Sequence, residues 1–209
     1  MRPLAPALTA FALVLSLRGE AAAQGWAERT GIYFRSGAVL ADLDPSALLF
    51  TADAPTALRM GMDREFTGKA LGWSRTVLVG ASLGVALDAR WFYVRIGADL
   101  FEAPEITAQP ARYRAQVLSL AWAAVGPRYA FGPFAVHLGA RLGAAVMSLR
   151  SENGGGEYTA INGAYAGEIG FQWRPLRWMQ FDAVVSQDFA AVGATTVTLA
   201  LNLGWSRPR

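Results

Sequence analysis

The sequence predicts an all-β fold: an eight-stranded antiparallel up-and-down transmembrane β-barrel, preceded by a cleaved export signal. Three observations predict it. The stretch Ala194 to Trp205, ATTVTLALNLGW, sets Val197, Leu199, Leu201, Leu203 and Trp205 against Thr196, Thr198, Ala200, Asn202 and Gly204. That period of two marks a strand with unlike faces. The same alternation recurs in seven segments upstream. Finally, Arg2, the mostly apolar run Leu8 to Leu17 and the small residues Ala21, Ala22 and Ala23 form the three parts of a secretory signal. The run is too short to cross a bilayer as a helix.

Composition sets the outer limits. The 209 residues include 22 Gly, and 53% are hydrophobic against 17% charged, a balance that suits one globular or membrane domain. Residues 1–23 are expected to leave as signal peptide, with residues 24–209 forming the barrel domain. Arg2, Arg18 and Glu20 go with the signal, so the net charge falls from +3 to +2. No cysteine is present, so burial and backbone pairing must supply the stability that exported proteins often take from disulfides. The isoelectric point near 9.6 comes from arginines spread along the chain, not from a cluster, and does not point to nucleic acid. After residue 24 no apolar run is long enough for a helical span. A membrane-embedded chain of this kind must close into a barrel, because an open sheet leaves backbone groups unpaired in lipid.

The elements follow in order. Strand one, Gly31 to Ala41, alternates Ile32, Phe34, Ala38 and Leu40 with Tyr33, Arg35 and Gly37; Ser36 and Val39 read as breaks in the pattern. Residues 42–71 lose the period, carry Pro45 and Pro55 and form the longest connection, with short helical turns expected over Ser46 to Phe50 and Thr56 to Met60. Strand two, Trp73 to Leu87, sets Val77, Val79, Ala81, Leu83, Val85 and Leu87 against Gly80, Ser82, Gly84 and Ala86. Asp88, Ala89 and Arg90 read as a tight turn. Strand three, Trp91 to Phe101, sets Phe92, Val94, Ile96, Ala98 and Leu100 against Tyr93, Arg95, Gly97 and Asp99.

Glu102 to Arg112, with Pro104 and Pro110, reads as a loop. Strand four, Tyr113 to Arg128, is alanine-rich, and its expected faces are Leu118, Leu120, Trp122 and Ala124 outward with Val117, Ser119, Ala121 and Ala123 inward. Phe131-Gly132-Pro133 turns the chain into strand five, Phe134 to Leu149, where Val136, Leu138, Ala140 and Leu142 oppose His137, Gly139, Arg141 and Gly143. Arg150 to Glu157, RSENGGGE, is a surface loop. Strand six, Tyr158 to Trp173, alternates Ile161, Tyr165, Ile169 and Phe171 with Asn162, Ala164, Glu168 and Gln172. Arg174 to Arg177 reads as a turn. Strand seven, Trp178 to Phe189, opposes Met179, Phe181, Ala183 and Val185 to Gln180, Asp182, Val184 and Ser186 and leads into the closing strand.

Connections after strands two, four and six are tight, and those after one, three and five are long, the asymmetry of outer-membrane barrels. Aromatics gather at the tight end: Trp91, Phe92, Tyr129, Phe134, Trp173, Trp178 and Trp205 form the expected girdle, together with Phe131 and Phe171. Trp73, Phe101, Tyr113, Tyr158 and Phe189 are expected at the opposite rim. Eight such strands behind a signal peptide, with the terminal LALNLGW, resemble the OmpA/OmpX-type small outer-membrane barrel family over about the whole mature chain. The resemblance implies an outer-membrane location, a surround of outer-membrane lipid and recognition by the barrel-assembly machinery through the C-terminal strand. In that family the chain usually ends on the aromatic; here four residues follow Trp205.

The inward face collects Arg35, Arg95, Asp99, His137, Arg141, Glu168 and Asp182. An eight-stranded barrel has room for little besides side chains, and charges there must pair, so the expectation is an ion-pair network filling the lumen. Glu168 and Asp182 on neighbouring strands have two readings, an acid/base pair or carboxylates neutralised by Arg141 and Arg95; the sequence does not fix their separation. His137 is the only histidine, which excludes a cluster of His ligands, and the Leu138-Gly139 after it lacks the His-x-Ser pattern of lipid A deacylases. The expected role is structural or surface-interacting, without catalysis, cofactor, metal or nucleic acid, in a monomer; Leu48-Leu49-Phe50 makes the 42–71 connection a possible partner site or a cover packed on the barrel mouth. The alternatives are a barrel that passes small solutes or a hydrophobic ligand, a lipid A-modifying enzyme, and a soluble ligand-holding barrel with its apolar face inside.

Overall fold

A strand that alternates large apolar and small or polar residues buries one set only if the sheet curls so that the other set faces a different medium. In the computed structural model this chain does so by closing the sheet on itself. The structure describes residues 30–43, 76–102, 105–107, 112–151, 157–189 and 194–206. The expected signal segment, the two helical turns, Trp73 and nearly all of the 42–71 connection lie outside them. The strands are β1 (Gly31–Leu43), β2 (Thr76–Asp88), β3 (Phe92–Phe101), β4 (Glu105–Thr107), β5 (Arg112–Phe131), β6 (Phe134–Ser151), β7 (Glu157–Leu176), β8 (Met179–Asp188) and β9 (Thr195–Ser206). Every pairing is antiparallel; β1 pairs with both β2 and β9, and β3 pairs with β5, which closes a ring of eight strands. β4 stands outside the ring and extends it by pairing with Arg112–Arg114 of β5. The sequence reads that segment as loop, because three residues are too few for a period to show.

The register fixes the shape. Ile32 faces Leu87, Leu87 faces Val94, Val94 faces Val125 and Val125 faces Ala140. Ala140 then faces Gly167, Gly167 faces Gln187, Gln187 faces Thr195 and Thr195 faces Asp42. The circuit leaves β1 at position 32 and returns at 42, a shear of ten residues. Eight strands sheared that far tilt about 40° from the axis and hold the backbone roughly 8 Å from it, which leaves a lumen filled by side chains. Tight links at residues 89–91, 132–133 and 177–178 share one end with the start of β1 and the end of β9. Gly132 sits at φ 60°, the positive value required of the first central residue of a two-residue type II′ hairpin.

The faces follow the sequence pattern with three corrections. In β1 the alternation never breaks: Val39 is buried and Ser36 points out. In β5 the expected faces are inverted. Leu118, Trp122 and Ala124 are buried, and Ala121, Ala123 and Val125 are exposed. Small alanines take the outer face because the lumen needs a large filler, and the indole of Trp122 lies where Gly97 and Gly143 on the neighbouring strands leave space for it. Phe101 faces the cavity inside the barrel rather than the rim, in phase with buried Asp99.

Candidate functional site

The inward side chains stack in three levels. Nearest the tight links, Arg174 Nη2 lies 3.2 Å from Asp88 Oδ2 and donates to Gln180 Oε1 at 2.8 Å. Arg128 Nε donates to Gln172 Oε1 at 2.7 Å, and Gln172 Nε2 donates to Asp88 Oδ2 at 3.3 Å. The Arg174 guanidinium also lies over the Tyr33 ring, 4.9 Å from its centroid. Neither Asp88 nor Arg174 belongs to a turn, as the sequence suggests. Each is the last inward residue of its strand, and both are buried.

At mid-height Arg95 is the hub. Its Nη2 reaches Asp182 Oδ2 at 3.0 Å, its Nη1 lies 3.8 Å from Glu168 Oε1, and the same Nη1 is 2.9 Å from His137 Nε2. A guanidinium only donates, so this contact makes Nε2 the acceptor and leaves the imidazole proton on Nδ1. Tyr93 donates its hydroxyl to Glu168 at 2.7 Å and meets the His137 ring edge-on at 4.5 Å between centroids. Arg35 Nε lies 3.6 Å from Asp182 Oδ2, and its Nη1 donates to Ser82 at 2.8 Å. Glu168 and Asp182 are therefore each held by arginine, not arranged as an acid/base pair. His137 is 3% exposed, out of reach of a substrate. The rings fit because glycine faces them: a Cβ on Gly170 would collide with His137, and one on Gly139 with Tyr93.

Above these, Arg141 pairs closely with Asp99, and Ser186 and Thr196 share a 2.5 Å hydroxyl contact. Trp122 crosses the lumen between the two levels, with Arg141 at 4.2 Å and Arg35 at 5.4 Å from the ring centroid. Beyond it the character changes. A small cavity of about 30 Å³ lies towards the long-connection end, walled by Ala41, Ala145, Ala164, Ala166 and Ala194 together with Phe101, Leu118, Ser186 and Thr196, with Trp122 and Arg141 at its floor. Five arginines (35, 95, 128, 141, 174) and five acids (Asp88, Asp99, Glu168, Asp182, Asp188) are buried among the described residues, so the formal charges of the lumen cancel. Among the described residues no group of His, Cys, Asp or Glu is arranged to hold a metal ion.

The outer face is the complement. Ile32, Phe34, Val77, Leu83, Ile96, Leu138, Leu142, Ile169 and Leu199 are all exposed, and the charged residues that share their face, such as Asp42 and Arg150, stand at the strand ends next to the long connections. No family model matches the chain, and no curated protein does either. Solved structures do match. The attachment invasion locus protein Ail of Yersinia pestis aligns with a TM-score of 0.50 at 12% identity, covering 86% of this chain and 99% of that one. The chain has the fold of the small outer-membrane barrels. Ail in complex with the heparin analogue sucrose octasulfate gives a TM-score of 0.49 at 12% identity, with 86% and 99% covered. Neisserial surface protein A gives 0.48 at 11%, with 84% and 97% covered.

The structure brings all seven sequence-predicted inward residues, Arg35, Arg95, Asp99, His137, Arg141, Glu168 and Asp182, into the lumen. Arg35, Arg95, His137, Glu168 and Asp182 form one cluster, and Arg141 with Asp99 forms the level above. Sequence reasoning missed Asp88, Arg128, Gln172, Arg174 and Gln180 as a second network, along with Trp122 as the partition. The aromatic residues Trp91, Phe92, Tyr129, Phe134, Trp173, Trp178 and Trp205 lie outward around the tight-link end. Phe134 and Phe171 stack at 5.6 Å, and Trp173 and Phe181 at 5.4 Å. Phe189, at the other rim, is outward and exposed.

Proposed function

We propose that this chain is an outer-membrane barrel with a structural or surface-interaction role, its lumen closed by paired polar side chains and its interior free of catalysis. The observation that carries the reading is the mid-lumen cluster, in which Arg95 touches Asp182, Glu168 and His137 across the barrel from four different strands. Opening a path there means separating buried ion pairs, which costs about 3–5 kcal/mol when one partner is removed. The exposed apolar belt meets lipid; the tight links and aromatic girdle face the periplasm; the long connections face outward. Strand β9 presents its Leu199, Leu201, Leu203 and Trp205 face to the assembly machinery. The closed ring leaves no edge along its body to pair with a second copy, which favours a monomer. The 42–71 connection is the proposed surface for an outside partner.

The test is conductance in planar bilayers of the refolded mature chain. Expected is the absence of steady single-channel currents at moderate voltage. Steady currents of uniform size would replace this reading with the transport alternative. Mass analysis of lipid A with and without expression examines catalysis independently, and a modified species that appears only with expression would overturn the non-enzymatic part.

A further inference from the structure

The lipid-facing belt is not smooth. Across β7, β8, β9 and β1, Trp173 faces Phe181, Phe181 faces Leu201 and Leu201 faces Ser36. In the next row Phe171 faces Ala183, and Ala183 faces Leu199. A methyl group set among three rings and two leucines leaves an outer groove of about 490 Å³, within the range of clefts that hold small ligands, about 300–1,000 Å³. Asp182 belongs to its floor through backbone alone, since its carboxylate is fully buried on the lumen side. The strand tilt carries the row away from the tight links as it passes from β7 to β1, so the groove runs from Trp173 in the girdle towards the middle of the belt.

A cation stands at the girdle end. Arg177, exposed in the link between β7 and β8, is four residues from Trp173 along one strand and four from Phe181 along the other, at most about 13 Å. Two bonds fix that link against β9: Ser206 Oγ donates to the Arg177 carbonyl at 2.8 Å, and the Gly204 N–H donates to the Trp178 carbonyl at 2.9 Å. Among the described residues the exposed charges at this end are Arg90 and Arg177, both positive, while Asp88 is buried against Arg174. The sequence adds Arg207 and Arg209 just after Ser206.

We propose that the groove and Arg177 form a site for one anionic phospholipid of the periplasmic leaflet. One acyl chain lies between the rings and the leucines, and the phosphate pairs with the Arg177 guanidinium. An arginine fork meets a phosphate with two parallel hydrogen bonds, and the exposed indole of Trp178 beside it suits the depth of the headgroups. The lipid is anionic because this rim offers cations and, among the described residues, no exposed carboxylate to receive the ammonium of a zwitterionic headgroup. The inference rests on the proposed placement of the belt in lipid and the tight links in the periplasm, and not on the closed lumen.

The experiment is native mass spectrometry of the mature barrel in detergent, titrated with phosphatidylglycerol, phosphatidylethanolamine or lipid A. Expected is one phosphatidylglycerol retained per barrel at saturation, about tenfold more tightly than phosphatidylethanolamine, the worth of one charged hydrogen-bonded contact. Arg177→Gln should remove that preference. Ala183→Phe, which fills the groove from the lipid side, should weaken retention of both phospholipids. Arg90→Gln, in the link on the opposite side of the ring, should change neither, and all three variants should keep the heat-dependent gel shift of a folded barrel. Equal retention of the two phospholipids in the unaltered protein would overturn the anionic headgroup, and lipid A retained in preference to phosphatidylglycerol would overturn the leaflet. A loss in Arg90→Gln as large as in Arg177→Gln, or full retention in Ala183→Phe, would overturn the site in favour of diffuse rim charge. Saturable retention alongside steady ion currents would remove the closed-lumen reading and keep the lipid site. Silent bilayers with no saturable retention would do the opposite.

Discussion

Asp182 shows how much can hang on one side chain. Its carboxylate lies 3.0 Å from Arg95 and 3.6 Å from Arg35, and it is buried. Asp182→Asn keeps the shape and removes the charge, leaving Arg35 without its ion-pair partner and Arg95 with Glu168 alone, 3.8 Å away. The expected loss is about 3–5 kcal/mol of unfolding free energy, read as a lowered urea midpoint in lipid vesicles. Glu168→Gln should cost less, because Arg95 keeps Asp182 and the Tyr93 hydroxyl keeps an oxygen to donate to. Equal losses in the two variants would sink the view that Asp182 is the bridge between the arginines. Residues of this kind were legible from parity alone: a charge in phase with glycines and small residues has to be inside. Asp88 and Arg174 obey the same parity, continuing Ser82-Gly84-Ala86 and Glu168-Gly170-Gln172. They were obscured by their neighbours, Ala89-Arg90 and Pro175, which carry turn chemistry and pull the apparent strand end inward, by one residue in β2 and by three in β7.

Among the elements, β5 is where pattern and structure part. Its central residues, Leu118 to Ala124, alternate two apolar sets, so hydrophobicity assigns no face, and the larger set was expected in lipid. What decides is Arg128, buried near the tight-link end and hydrogen-bonded to Gln172. Because it is an even number of residues from Trp122 and Ala124, placing its charge inside carries them inside too. The outcome is testable by cysteine scanning. Ala121→Cys and Ala123→Cys should react with a lipid-soluble maleimide, while Ala124→Cys should stay protected until the barrel is unfolded. Protection at 121 and 123 with labelling at 124 would reverse the strand. Ser36 follows the same logic from the other side: a lone hydroxyl on the outer face of β1 looks like a break in the period, yet the backbone continues through it in register with Leu83 and Leu201.

At the scale of the molecule, closure is what the composition was selected for. Without cysteine, the ring is held by ladder hydrogen bonds and by the packing of its lumen, and each of its eight strands has neighbours on both sides. A ring strand therefore has no edge on which a missing N–H is harmless, whereas β4 lies outside the ring and pairs on one side only. Thr198→Pro removes a donor from the middle of β9, where residue 198 faces Val39 on one side and Val184 on the other, and its ring clashes with the ladder. The expected result is loss of the heat-dependent gel shift and of protease resistance after refolding into vesicles. Ile106→Pro, in β4, makes the same chemical change beyond the ring and should leave both intact. If Thr198→Pro still yields the shifted band, closure through β1 and β9 is not what holds the barrel together; if Ile106→Pro abolishes it, the short strand belongs to the stabilising ring and not to its rim.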